Sequence, residues 1–461
     1  MARHRTATPV RNAAEARSAT RDPALDPSRR FPHADAGGED LYADIVGEHA
    51  DEAAFLWHLR TQAIGQPHYL LRDLEDLDQR LSAAIDGLRT APGGLTACRR
   101  LLAHDEAWAA APLALMALES EDLAAVHRLL AIAEAKPTLA PMLMAASGWA
   151  SPRFLQGTIR DLLNAPSPLW RRLALACCAM HRVDPGPALA RAIEDADPSL
   201  RARGLQAAGE LGRRDLLDHC VRALKDDHRA CRYRAAGAAL LLGERDRAIE
   251  TLTAMSLGPG RWRERALRRV VKAMPLDASR ELLRTMATSP SALREVIAGM
   301  GHTGDATHEA SLIAWMHDPA LARLAAESFS LLTGADLAKH ELERRPPAMS
   351  TADPSDDPDD DEITTDPDEH LPWPDADRVL RWWQTRQTSR QSLAPGRRLF
   401  VGRPLDAAVA TELLAHGPQR QRIAAAQHLC LLQPGTMLFP TDAPVWRQRR
   451  LLPTTPPAHQ R

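Results

Sequence analysis

The chain has 461 residues and a formal net charge of −2, with 44% hydrophobic but only 4% aromatic residues. Single cores stop growing near ~250–300 residues, so this length excludes one compact core and leaves either several domains or an extended repeat array. The near-neutral balance excludes a whole-molecule field that recruits polyanions, and an apolar fraction rich in Ala and Leu disfavours a sheet core built from Val, Tyr and Phe.

Residues 1–38 mix Arg, Asp, Pro and Ala without an apolar period, the composition of a disordered tail. Residues 39–135 read as an N-terminal helical region. Its first helix carries Ile45, His49, Ala53, Leu56, Arg60 and Ile64 on one stripe and ends before Pro67. Its second places Leu70, Leu74, Leu77, Leu81, Ile85 and Leu88 on one face and stops at an Ala-Pro-Gly-Gly run, so that the two form a helical hairpin.

Residues 136–342 carry an internal repeat. Pro137, Pro168, Pro198, Pro259, Pro290 and Pro319 recur at intervals of about 30, with one double gap whose missing mark falls near His228. Proline opens a helix without losing a bonded N–H, and Gly212, Gly243, Gly301 and Gly334 read as the stops of the same helices. A unit of this length holds two short helices that need neighbours to cover their apolar faces, so stacked units predict an all-α solenoid. The run Asp197, Pro198, Leu200, Arg201, then Ala207, Ala208, Leu211 and Gly212 resembles the second helix of a HEAT repeat. The segment around Pro259 departs from that pattern.

Residues 343–371 form an acidic, Pro-rich run that reads as a disordered linker; it lacks the glycine and the spacing of a calcium loop. Residues 372–452 are expected to form a C-terminal helical cap. Trp373, Trp382 and Trp383 would anchor it, and a helix would open at Pro418 and end before Gly435. Residues 453–461 read as a second disordered tail.

All but four of the 58 basic residues other than histidine are arginines. Two columns stand out at a spacing of 31: Arg172, Arg203, Arg234 and Arg265, and Arg201, Arg232, Arg263 and Arg294, with Arg323 continuing the second. Each column either pairs with aspartates of adjoining turns, such as Asp195, Asp197, Asp226, Asp227 or Asp318, or presents guanidinium groups to an acidic protein or a phosphate backbone. Trp170 and Trp262 beside them suit packing between repeats or stacking on a base. The groups His49, Glu52, His58 and His68, and His219, Cys220, His228 and Cys231, are poor matches to metal-ligand spacing, and no cofactor or metal is expected. Cys98, Cys177, Cys178, Cys220, Cys231 and Cys430 contain no C-x-x-C pair, which suits a reduced, cytoplasmic compartment. No apolar run approaches the ~18–20 residues of a membrane span. No nucleophile elbow, phosphate loop, dinucleotide fingerprint or zinc-protease motif is present, so an enzyme is not expected.

Beyond the repeat itself, the segments "EHADEAAFLWHLR", "PHYLLRDLEDLDQRLSAAIDGLR", "ARLAAESFSLLTGADL", "LPWPDADRVLRWW", "GPQRQRIAAAQHL" and "PGTMLFPTDAPVWRQRRLL" resemble an uncharacterised proteobacterial HEAT-like family encoded among type VI secretion accessory genes. That resemblance implies an adaptor or scaffold for protein partners, such as secretion components or effectors. The arginine columns leave a second expectation open, a nucleic-acid-binding solenoid resembling the HEAT-like alkylpurine DNA glycosylases.

Overall fold

The computed structural model describes residues 37–103, 107–346, 366–390 and 396–452. The C-terminal tail, residues 347–365 of the expected linker, and the N-terminal tail apart from its last two positions lie outside the described residues. The chain divides into two units, Met1–Asp44 and Ile45–Arg461. Of the first, the described part is the opening of helix α1 (Gly37–Ala63). The second holds every other element.

Helix α2 (Leu71–Thr90) follows α1, and its apolar face is buried as the sequence predicts, with Leu74, Leu77, Leu81, Ile85 and Leu88 inside. The stripe on α1 is rotated from the expected one. Ile45 is 45% exposed, while Val46, Ala50, Ala53, Leu56, Trp57, Arg60 and Ala63 are buried. The deciding residue is Trp57, whose large ring packs 5.5 Å from that of Trp149 and turns the helix toward it.

Stacked hairpins then begin at Gly94, upstream of the first proline mark. They are α3 (Gly94–Ala103) with α4 (Ala110–Glu119), α5 (Leu123–Ala135) with α6 (Ala140–Trp149), and α7 (Gln156–Leu163) with α8 (Pro168–Met180). Next come α9 (Pro187–Ile193) with α10 (Pro198–Glu210), α11 (Leu217–Arg222) with α12 (Arg229–Leu242), and α13 (Asp246–Leu257) with α14 (Arg263–Ala273). The series closes with α15 (Leu276–Ala287) and α16 (Leu293–Thr303), then α17 (Glu309–Trp315) and α18 (Ala322–Thr333). The second helices α4, α6, α8, α10, α12, α14, α16 and α18 pack against one another in succession, which is the all-α solenoid that the repeat period predicts.

The local signals explain the boundaries. Pro168 and Pro198 occupy the first turns of α8 and α10, and Asp197 caps α10 by accepting from Leu200 N at 2.7 Å. His228, where the missing proline was expected, is the N-cap of α12. One glycine differs from expectation. Gly301 lies inside α16, where a Cβ would come within 2.7 Å of the Ser328 backbone, and the helix ends instead at Gly304, with φ of 69°.

The C-terminal region is helical, with α19 (Ala376–Arg390), α20 (Ala407–His416), α21 (Gln419–Leu432) and α22 (Val445–Leu451), plus a short antiparallel pair, β1 (Leu399–Phe400) and β2 (Arg403–Pro404). Its course is the feature that the sequence does not announce. Helix α19 stays on the last hairpin, where Trp383 meets Phe329 edge-on at 5.4 Å. From Arg398 the chain turns back onto the array as a strap that first spans the ends of α14, α16 and α18 and, after α21, meets α12, α10 and α6 in turn. Leu399 N donates to Gly304 O and Val401 N to Leu331 O. Farther on, Gly435 N donates to Leu241 O and Leu438 N to Glu210 O. Arg447 Nη1 then reaches Gly148 O at 2.7 Å. The strap is fastened on the first hairpin, where buried Arg60 bonds Asp78 (2.9 Å), Asp442 O (2.6 Å) and Ala443 O (2.9 Å) while Asp78 accepts from Val445 N at 2.6 Å. Arg420 joins the two ends of the array, donating to Gly65 O and to Glu327 of α18.

Glycine at the helix stops therefore has two reasons. Gly304 takes a left-handed conformation that L side chains adopt at a cost, and a Cβ there would overlap Leu399 O of the strap. Gly304→Ala should lower stability by ~1 kcal/mol or more and accelerate amide exchange at residues 399–402; a melt and an exchange pattern equal to the parent's would contradict this docking.

Candidate functional site

The two arginine columns do different work. Arg201 makes a two-point pair with Asp226 of the next hairpin (2.9 and 3.1 Å) and also donates to Asp195 O and Ala196 O. Arg232 donates to Asp226 O and Asp227 O, and Arg294 pairs with Asp368 at 2.7 and 2.8 Å. Arg323 bonds Asp368 O and Asp366 and lies over the Trp373 ring. In Arg263 the buried Nε has no partner. Arg201 thus ties one repeat to the next, Arg232 braces the turn of its own hairpin, and Arg294 and Arg323 hold the segment at 366–368. The strict 31-residue count misses a member of the set, Arg171, which pairs with Asp195 at 2.7 Å. Counting from the prolines finds it, because Arg171 and Arg201 each stand three residues after theirs.

The other column runs inward. Arg172 is partly buried near Asp197, and burial lowers its basicity. Arg203 holds Glu210 with two bonds of 2.9 Å. Burial works against that carboxylate, yet Arg203 and Arg182 keep it below the usual range. Burial, then the neighbouring Arg269, brings Arg234 down to about 10. Arg265 lies over Trp262 (5.7 Å), which is itself 7% exposed and packed on Tyr233. Trp170 stacks on His127 at 5.2 Å. Both tryptophans serve packing between repeats.

Arg265 opens onto a cavity of about 1180 Å³ whose lining includes Tyr233, Arg268, Arg269, Lys272, His302, Glu327 and Arg420. Arg265, Arg268, Arg269 and Lys272 stand at i, i+3, i+4 and i+7 of α14, so helical geometry alone gathers four cations on one face over ~10 Å. Arg268 pairs with Glu264 at 2.6 Å. Arg269 lies over Tyr233 (4.6 Å), and Lys272, 7% exposed, donates to Gln427 of α21 at 2.8 Å. Among the described residues no carboxylate pairs with Arg265, Arg269 or Lys272. Burial, reinforced by Arg268, Arg269 and Arg398, pushes the Lys272 ammonium down to about 7. Burial, and after it Lys272, hold His302 and His428 well below their ordinary value.

With this geometry in view, known proteins identify the repeat. Residues 186–272 match the HEAT repeats. The matched segment runs from α9 to α14, so HEAT-like units carry the middle of both arginine columns, from Arg201 to Arg265, and the cationic face of α14. No curated protein matches the chain.

Of the metal candidates read from the sequence, His68 lines this cavity and the others are placed elsewhere. The His58 ring packs on Trp108 at 4.3 Å, His68 lies between Tyr69 and His370, and His219 meets Glu194 at 3.2 Å. All six cysteines are buried and free, and burial raises the thiols of Cys177 and Cys220 to about 12. No helix among the described residues is long and apolar enough to cross a membrane.

A lysine that binds its proton more weakly folded than unfolded makes stability rise with pH between its two pKa values, here about 7 and 10.5. Lys272→Met should therefore raise the melting temperature at pH 7 by ~2 °C or more, with the gain shrinking as pH approaches 10. A gain that stays constant across that range would point to packing instead.

Proposed function

We propose that this chain is a non-enzymatic protein-binding scaffold, an accessory or adaptor protein of a bacterial type VI secretion system. The observation that carries the scaffold reading is the HEAT match at residues 186–272 within a stack of helical hairpins. Arg201 reaches the next hairpin, Arg232 the turn before its own helix, and Arg294 and Arg323 the segment at Asp368 that follows the array. HEAT arrays commonly act as protein-interaction scaffolds, and the segment resemblance to secretion accessory proteins supplies the finer reading. Immobilised full-length chain should retain purified secretion components or effectors with a defined stoichiometry. Failure of every sheath, spike, membrane-complex and effector component to bind would remove the secretion assignment.

Nucleic acid as a partner draws support from one observation, the cationic face of α14. If a phosphate backbone binds there, affinity should fall steeply with salt, and Arg265→Ala with Arg269→Ala should reduce the log–log slope by about one per lost phosphate contact. Absence of binding to single- or double-stranded oligonucleotides at low salt would eliminate this reading.

A further inference from the structure

The α14 face combines features that share one physical remedy. Four cations lie on two helical turns, and among the described residues only Arg268 of the four has a carboxylate partner. Lys272 is an almost fully covered ammonium whose hydrogen-bond partner is a neutral amide. Arg268 Nε and His302 Nδ1 are buried without acceptors. A buried charge is normally paired, because the interior cannot replace its hydration. Across the cavity, Arg420 is already neutralised by Glu327 at 2.6 and 2.7 Å. Asp336, Glu343 and Glu369 also belong to the lining, together with Lys339, His340 and His370, so the excess of cations is concentrated on the α14 stripe.

We infer that the α14 face is a binding site for a small oligophosphate, either the free inorganic chain or the phosphate moiety of a nucleotide. Guanidinium groups match phosphate oxygens in two-point geometry, and an anion of several charges spread along one axis fits cations spaced along a helix. A single carboxylate or sulfate would satisfy one or two of the four. The cavity volume, at the upper end of small-ligand sites, leaves room for an organic group beyond the phosphates. This inference rests on the cavity and is independent of the scaffold reading.

Gly237 supplies a selective probe. It lies in α12 beneath Arg269, and a Cβ at that position would overlap the Arg269 Nη1. The overlapping atom is the end of a flexible side chain, so Gly237→Ala should displace the guanidinium while improving helix propensity. The test is calorimetric titration of the full-length chain with tripolyphosphate, ATP and citrate at matched low ionic strength, with the melting temperature followed in parallel. Tripolyphosphate should bind at one site, citrate at least tenfold more weakly. Arg265→Ala with Arg269→Ala should weaken tripolyphosphate at least tenfold, and Gly237→Ala severalfold without lowering the ligand-free melting temperature. ATP binding tighter than tripolyphosphate would assign the site to a nucleotide; equal affinity would assign it to the phosphate chain. Citrate binding as tightly as tripolyphosphate, or the double variant binding unchanged, would overturn the inference.

Discussion

An α-helix leaves its last carbonyls without partners inside the helix, and a stack of short helices repeats that deficit in every unit. In this chain the strap supplies the donors. Backbone N–H groups of Leu399, Val401, Gly435 and Leu438 reach Gly304 O, Leu331 O, Leu241 O and Glu210 O at the ends of four second helices. Arginines complete the set: Arg398 bonds Val271 O, Met274 O and Thr303 O, and Arg447 bonds Gly148 O. Burial brings both guanidiniums down to about 10, yet they remain charged at neutral pH and sit where helix dipoles favour a cation. The continuity of the array with its own C-terminal region follows from this one requirement.

The same arrangement explains where positive charge is left over. Arg171 and Arg201 at the starts of second helices are spent on the next repeat, and Arg398 and Arg447 of the strap on carbonyls. Among the described residues the α14 face gathers Arg265, Arg269 and Lys272 on the cavity wall without a carboxylate partner for any of them. Lys272 marks the spot, because one of only four lysines in the chain is covered there, opposite a neutral glutamine. Such a concentration is costly in an empty cavity and favourable around an anion.

Much of the architecture was legible because it depends on local chemistry. Pro168, Pro198 and the N-cap position of His228 set helix starts, Gly212, Gly243 and Gly334 set stops, and Pro418 opens α21. The site was less legible. A fixed 31-residue ruler found the inter-repeat pair of Arg201 but missed that of Arg171, because the units vary in length by a residue. It found Arg265 but not its neighbours, because Arg268, Arg269 and Lys272 follow the period of one helix and not that of the repeat. The α1 stripe was displaced because Trp57 outweighs Ile45 once Trp149 is beside it.

By itself the sequence determined the helices, their two-helix unit and the stacking that makes an all-α solenoid, since propensity, capping and apolar period act over a few residues. The course of residues 398–452 was decided only by tertiary structure. Their backbone donors and arginines meet carbonyls up to hundreds of positions away, as Arg60 does with Ala443 O. Whether an arginine ties repeats together or faces a cavity depends on what lies across from it. That partner is set by the fold-back of the strap, and no spacing along the chain encodes it.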